Sequence, residues 1–118
     1  MAKMKKTTQI KKENERLREK YKELPEDSMA IVDGLIDQAS FMRVELDDML
    51  EDIITNGRVD LFTQSEKTDP YERERPVVRQ YAQMVRNYQN IIKQLDEKLP
   101  KNDLAENQND GFEEFAGI

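Results

Sequence analysis

The sequence predicts an all-α protein: a short N-terminal helix, a long antiparallel helical hairpin and disordered termini, with hairpins assembling into an oligomer. Two long segments carry apolar residues at spacings of three and four, which is the pattern of an amphipathic helix. Proline or Asn-Gly stands at the ends of these segments, where helices stop. Hydrophobic residues make up 36% of the 118 residues and charged residues 37%, so a large self-contained core is not expected.

The first 24 residues are predicted to form a basic N-terminal arm and a short helix. Residues 1–9 show no periodic pattern and are expected to be a mobile extension. From Ile10 to Leu24 apolar residues recur at spacings of seven, four and three, which predicts a helix with a thin apolar stripe. Pro25 is expected to end it.

The first long helix is predicted to begin after an N-cap at Ser28 and to stop at Asn56, with Gly57 in the left-handed conformation. Most apolar residues of this segment fall in one sector of the helix. Phe41 and Val44 point away from that sector, which indicates a second surface that needs cover.

Residues 58–69 are predicted to connect the two long helices, with an extended tongue or short strand as an alternative because "RVDLF" alternates weakly. Asp69-Pro70 resembles a helix start. Pro76 marks either a kink or the true start of the last helix, which is expected to run to residue 99.

The hairpin domain spans residues 25–100, and two helices bury only the strip between them. A domain this small is rarely stable without help, so we expect hairpins to pack side by side in an oligomer. The predicted core of the hairpin and oligomer comprises Leu35, Ala39, Met42, Leu46, Ile53, Val77, Tyr81, Met84, Tyr88, Ile91 and Leu95.

Residues 101–118 are predicted to be an acidic, disordered tail. They lack a period and carry one Lys against five Asp or Glu. The end "GFEEFAGI" is either plain disorder or a short docking motif that folds on binding, with apolar anchors at Phe112, Phe115 and Ile118.

The charge is distributed unevenly, which bears on possible partners. Residues 1–22 carry nine Lys or Arg against three Asp or Glu, whereas residues 23–100 carry nine against seventeen. The basic arm is either a phosphate-binding extension or a solubilising end. Its candidate DNA-binding residues are Lys3, Lys5, Lys6, Lys11, Lys12, Arg16 and Arg18.

A second basic feature is a row on the last helix opposite its apolar stripe. Arg79, Arg86 and Lys93 recur every seven residues and are flanked by Gln and Asn. The row is a solvated face, a set of donors for acidic neighbours in an oligomer, or a surface that touches DNA phosphates.

Catalytic features are absent from the sequence. The sequence has no Cys and no His, so disulfides, most zinc sites and most nucleophile–base pairs are excluded. We expect that the protein is not an enzyme and that it binds no cofactor. Glu45, Asp48 and Asp52 share a helix face, as in all-α nucleotide pyrophosphatases that bind magnesium, but a matching pair on the facing helix is missing. A solvated acidic face is the simpler interpretation.

Residues 21–100 resemble the small subunit of phage terminases from Gram-positive hosts. The resemblance is carried by the stretch from "YKELPEDSMAIVDGLIDQ" through the Asn-Gly stop, and above all by "YERERPVVRQY" (residues 71–81) ahead of an amphipathic helix. It implies a ring-forming, non-catalytic DNA-packaging protein of the host cytoplasm, with no membrane role. Its implied partners are double-stranded viral DNA and the large terminase subunit, which carries the ATPase and nuclease and is contacted by the acidic tail.

Many small terminases have an N-terminal helix-turn-helix, and the residues before Pro25 are too few for one. DNA contact would therefore use the basic arm or the row on the last helix. The rival hypothesis is a helical protein–protein adaptor or scaffold without a DNA role, and a third is a magnesium-dependent nucleotide hydrolase.

Overall fold

Three helices and one short β-hairpin make up the computed structural model, which describes residues 4–99. Helix α1 spans Lys6–Tyr21, α2 spans Glu26–Asn56 and α3 spans Pro76–Glu97. Strands β1 (Val59–Phe62) and β2 (Tyr71–Glu74) lie between α2 and α3. The mostly helical architecture is as predicted, and the two strands are additional to the all-α prediction.

Helix α1 packs along α2 and begins earlier than expected. Because it starts at Lys6, the prediction that residues 1–9 are all extension was wrong for its last residues. The helix ends at Tyr21, and a turn in which the Leu24 N–H donates to the Tyr21 carbonyl (3.1 Å) leads into Pro25. Leu17 and Tyr21 face inward and are buried.

Helix α2 starts directly after Pro25, so the prediction of Ser28 as N-cap was wrong. Pro25 occupies the N-cap position with extended backbone angles, and Glu26 and Asp27 place negative charge in the first turn, where the helix dipole favours it. At the other end Gly57 has φ of 87°, as the Asn-Gly signal predicts, but its ψ of −179° is extended rather than left-handed helical.

The connector forms an antiparallel β-hairpin. Its first strand matches the alternative of a short strand at "RVDLF", whereas its second strand, at residues 71–74, was not expected. Val59 pairs with Glu74 and Phe62 with Tyr71. Asp69-Pro70 therefore does not start a helix, because the next residues form β2. Pro76 is instead the first residue of α3, where its missing N–H costs nothing.

Helix α3 returns antiparallel to α2, so that the last turns of α3 meet the first turns of α2 and the end of α1. The buried cluster consists of Leu17, Tyr21, Val32, Ile36, Ala39, Ile91 and Leu95. Val44 is also buried, contrary to the prediction that it points outward, because α1 is long enough to lie across this part of α2. Phe41 is exposed.

Candidate nucleic-acid and subunit-contact surfaces

The basic helix α1 lies on the acidic helix α2, and several of its cations are already paired. The Lys6 Nζ donates to Glu45 Oε1 at 2.7 Å and lies 3.1 Å from Asp48 Oδ2. The hydrogen bond to Glu45 is the main reason why the pKa of Lys6 is raised. Positive charge of the basic arm thus serves to attach α1 to α2.

A second ion-pair cluster holds the other end of α1. Arg18 bonds Asp33 through Nη1 and lies 3.1 Å from Asp37 through Nη2, and the pKa of Arg18 is raised chiefly by the bond to Asp33. The Asn14 amide also donates to Asp37 at 2.8 Å. Arg16 pairs with Glu13 within its own helix at 2.7 Å. Three of the seven candidate DNA-binding residues of the arm are therefore neutralised locally.

The remaining candidates of the arm point to solvent. Lys5, Lys11 and Lys12 are exposed, and none of them forms an ion pair with any residue between positions 4 and 99. Lys3 lies outside the described residues. Of the seven basic candidates, these three are the described cations that could meet phosphate oxygens without first breaking an intramolecular pair.

The basic row on α3 is exposed along the helix. The Arg79 side chain is 87% exposed and its nearest carboxylate, Glu74, is 3.8 Å away. Arg86 and Lys93 are exposed, and neither has an ion-pair partner in the described part of the chain. At 1.5 Å per residue, a seven-residue spacing places successive cations about 10 Å apart. The flanking amides are exposed too: Gln80, Gln83, Asn87, Asn90 and Gln94.

The three acidic residues that share one face of α2 contact basic side chains. Glu45 and Asp48 hold Lys6, and Asp52 accepts two bonds from Arg75 Nη2 at 2.8 and 3.0 Å. A hydrogen bond from Asn56 and then the bonds from Arg75 lower the pKa of Asp52. Among residues 4–99 no cluster of three acidic side chains is arranged to hold a metal ion.

Arg75 also joins the β-hairpin to the helices. Its Nη1 donates to the Gly57 carbonyl at 2.7 Å, and its backbone N–H donates to the Arg58 carbonyl at 2.9 Å. One side chain therefore connects the end of α2, the start of β1 and the start of α3. By its position in the sequence Arg75 continues the basic row of Arg79, Arg86 and Lys93, and nothing in the local spacing indicates that it bonds the Gly57 carbonyl and Asp52.

The end of the molecule that carries the β-hairpin exposes apolar side chains. From Asp47 to Asn90, a stretch that the structure describes in full, no residue is buried. The exposed large apolar residues here are Leu50, Ile54, Val59, Leu61 and Tyr71. We refer to this region as the open end and to the three-helix cluster at the other end as the closed end.

The predicted core residues differ in how far they are buried. Ala39, Leu46, Ile91 and Leu95 are buried. The others are half-buried: Leu35, Met42, Ile53, Val77, Tyr81, Met84 and Tyr88. The predicted docking residues Phe112, Phe115 and Ile118 lie outside the described residues.

These features define a class of protein rather than a particular one: a helical hairpin with one self-packed end, one uncovered end and two free basic surfaces. No protein-family model matches the chain, and searches of curated proteins and of solved structures find no significant match. None of the helices between residues 4 and 99 is long and apolar enough to cross a membrane.

Proposed function

We propose that the chain is the small subunit of a phage terminase, a non-catalytic protein that forms a ring, binds viral DNA and regulates the large ATPase and nuclease subunit. The observation that carries the proposal is the open end of the helical hairpin, where the whole stretch from Asp47 to Asn90 is without a buried residue. Half-buried apolar stripes on two long helices are typical of subunits whose core is completed by neighbours.

DNA contact is assigned to the outward cations of α1. Lys5, Lys11 and Lys12 are exposed and form no ion pair with residues 4–99, and a ring would repeat them on every subunit. Contacts of this kind neutralise phosphates without reading bases. The expected binding is therefore strongly dependent on salt and only weakly dependent on sequence.

The test compares two triple variants that remove the same charge. Lys5, Lys11 and Lys12 changed to Ala should weaken binding to a double-stranded DNA fragment and lower the salt slope by about one unit per lysine per engaged subunit. Lys6, Arg16 and Arg18 changed to Ala remove three cations that are already paired within the chain. Fluorescence anisotropy at several salt concentrations should show the larger loss for the first variant.

Circular dichroism at the temperature of the binding assay should show that both variants keep the helical content of the parent, so that a loss of DNA binding is not caused by unfolding. Equal losses in the two variants would mean that only net charge matters, which contradicts the assignment to this surface. No binding by the unaltered chain at low salt would contradict the DNA-binding part of the proposal itself.

A helical adaptor without a DNA role is the second candidate, and the pairing of α1 with α2 favours it. Lys6 and Arg18 bond acidic residues of the same chain, so the basic arm has a structural use that needs no nucleic acid. An oligomer that ignores DNA at low salt would establish this alternative over the first.

A further inference from the structure

The two faces of the β-hairpin differ in how well they are packed. On one face the Arg73 Nε lies 3.3 Å from Asp60 Oδ1, and the Arg73 guanidinium stands 3.9 Å from the centre of the Phe62 ring. The rings of Phe62 and Tyr71 meet edge to face at 5.8 Å. Ion-pair, cation–π and aromatic contacts therefore hold this face together.

The other face of the hairpin is uncovered except at its base, where Arg79 Nε of the same chain lies 3.8 Å from Glu74 Oε1. Side chains alternate along each strand, and the register pairs Val59 with Glu74 and Leu61 with Glu72 on this face. All four are exposed, Leu61 by 71%. We call these four residues the hairpin outer face. An isolated two-stranded hairpin is marginal in water, and this face would fit a partner that offers apolar contact together with positive charge.

Among residues 4–99 one surface has that chemistry. Helix α2 is unsuitable because it carries nine acidic residues and only one basic residue. The buried apolar residues of α1, Leu17 and Tyr21, face the core, so its outer side offers charge without apolar contact. On α3, half-buried valines immediately precede exposed arginines at a seven-residue repeat. We call this surface the α3 flank, formed by Val78, Arg79, Val85 and Arg86.

The two surfaces lie at the same end of the molecule. The hairpin adjoins the N-terminal end of α3, since the Arg75 N–H bonds the Arg58 carbonyl one residue before Pro76. In a ring whose axis runs parallel to the helices, equivalent residues of neighbouring subunits lie at the same position along the axis. Two different but complementary patches on one chain make head-to-tail contacts, which form a ring where the rotation between neighbours closes and an open filament where it does not.

We propose that the hairpin outer face of one copy binds the α3 flank of the next copy, with Leu61 against the valines and Glu72 against Arg86. This inference rests on the ring of the proposed function and specifies how its subunits meet. It assigns Arg86 to subunit contact, since Arg79 already lies beside Glu74 of its own chain, and it leaves DNA to the lysines of α1.

Charge reversal on each side of the contact tests it in the full chain. Glu72→Arg and Arg86→Glu should each place like charges together and raise the concentration at which the oligomer dissociates about tenfold or more. An equimolar mixture of the two variants should recover the mass of the unaltered protein, because each hairpin then meets a complementary flank. Light scattering over a dilution series measures both effects.

Control variants separate this contact from general charge effects and from misfolding. Glu66→Arg makes the same change in the loop of the hairpin, away from the outer face, and should leave the mass unchanged. Leu61→Lys should dissociate the oligomer without loss of helical circular dichroism, because Leu61 is already exposed in the single chain.

The outcomes distinguish the inference from the proposed function. Single variants that keep the mass of an oligomeric parent overturn this contact and leave the ring standing. A double variant carries Glu72→Arg and Arg86→Glu in the same chain. If it recovers the mass of the parent but the mixture of single variants does not, the two residues interact within one copy, which overturns the contact between copies. Loss of mass without rescue of either kind overturns it too. A parent chain that is monomeric at about 100 μM, more than tenfold above the micromolar affinities of weak complexes, overturns both the ring and the contact.

Discussion

The closed end and the open end of the hairpin use the same two long helices but pack them differently. At the closed end α1 covers the seam between α2 and α3, and Val32, Ile36 and Leu95 are fully buried. At the open end α1 reaches only to Lys6, which lies 3.1 Å from Asp48. Beyond that point no third helix within the described residues covers α2 and α3, and Ile54 is 74% exposed. The same amphipathic pattern thus completes a core where α1 covers it and leaves apolar surface where it does not. The closed end holds the packed core, and the open end leaves apolar side chains uncovered.

The largest expected effect is a cavity at the closed end. Leu95→Ala removes a side chain that is fully buried between the three helices and should lower the free energy of unfolding by about 2–5 kcal/mol. Ile54→Ala, at an apolar position of α2 that is 74% exposed at the open end, should change it by about 0.5 kcal/mol or less. Urea unfolding followed by circular dichroism compares the two. Equal costs would contradict the division into a packed and an uncovered region.

Alkaline pH should act through the closed end as well. Burial, assisted by the negative charge of Asp96, raises the pKa of Tyr21 from 10.0 to about 12. Because the unfolded chain loses this proton first, the stabilisation is complete below pH 10 and is lost as the pH rises towards 12.

Tyr21→Phe provides the matched control for this titration. The variant has no phenol to ionise, so its stability should fall less steeply between pH 10 and 12 than that of the parent, whatever the two stabilities are at neutral pH. Parallel curves would show that Tyr21 does not carry the effect. Absorbance of tyrosinate near this pH range gives an independent measure of the same ionisation.

The helices could be predicted from the sequence because the period of their apolar residues is local information. The second strand could not, since "YERE" has one apolar residue and is held by pairing with β1 and by Arg75. The early start of α1 and the burial of Val44 depend on α1 lying against α2, and the pairing of Lys6 with Glu45 spans 39 residues. Single-sequence patterns cannot see contacts of that range. For the same reason the sequence indicates which Lys and Arg residues are candidates for DNA contact, but not which of them form ion pairs within the chain.

A smaller effect is expected at the junction of the open end. Arg75→Met keeps the aliphatic stem but removes the bonds to the Gly57 carbonyl and to Asp52, and should cost about 1–3 kcal/mol. Hydrogen exchange should show the loss mainly as reduced protection of the β-hairpin amides, with α1 little affected. Arg58→Met, at an exposed position on the same junction, serves as the control. Uniform loss of protection throughout the chain would argue against a separable open end.

The same junction should respond to acid. Since bonds from Asn56 and Arg75 lower the pKa of Asp52, its contribution is present above the pKa of the unfolded chain and is lost as the pH falls through the lowered value. Protection of the hairpin amides should therefore decrease below about pH 4, the ordinary range for Asp. In Arg75→Met the decrease in protection should be smaller, because this variant already lacks the bonds from Arg75 to the ionised Asp52 carboxylate.

The smallest effects are expected at two glycines. Replacing each of them by alanine should change the free energy of unfolding in opposite directions at the closed end and the open end. A Cβ at Gly34, inside α2 at the closed end, would meet no heavy atom within 4 Å. Gly34→Ala should therefore raise the free energy of unfolding by about 0.5–1 kcal/mol, since alanine loses less backbone entropy in a helix.

Gly57 at the open end has equal space around it but a φ of 87°, which an L-residue adopts only with strain. Gly57→Ala should lower the free energy of unfolding by about 1–2 kcal/mol and disturb the bond from its N–H to the Ile53 carbonyl. Thermal unfolding of both variants beside the parent measures the two signs. Because neither site is crowded, a loss at Gly34 or a gain at Gly57 would mean that the backbone at that end differs from the one described.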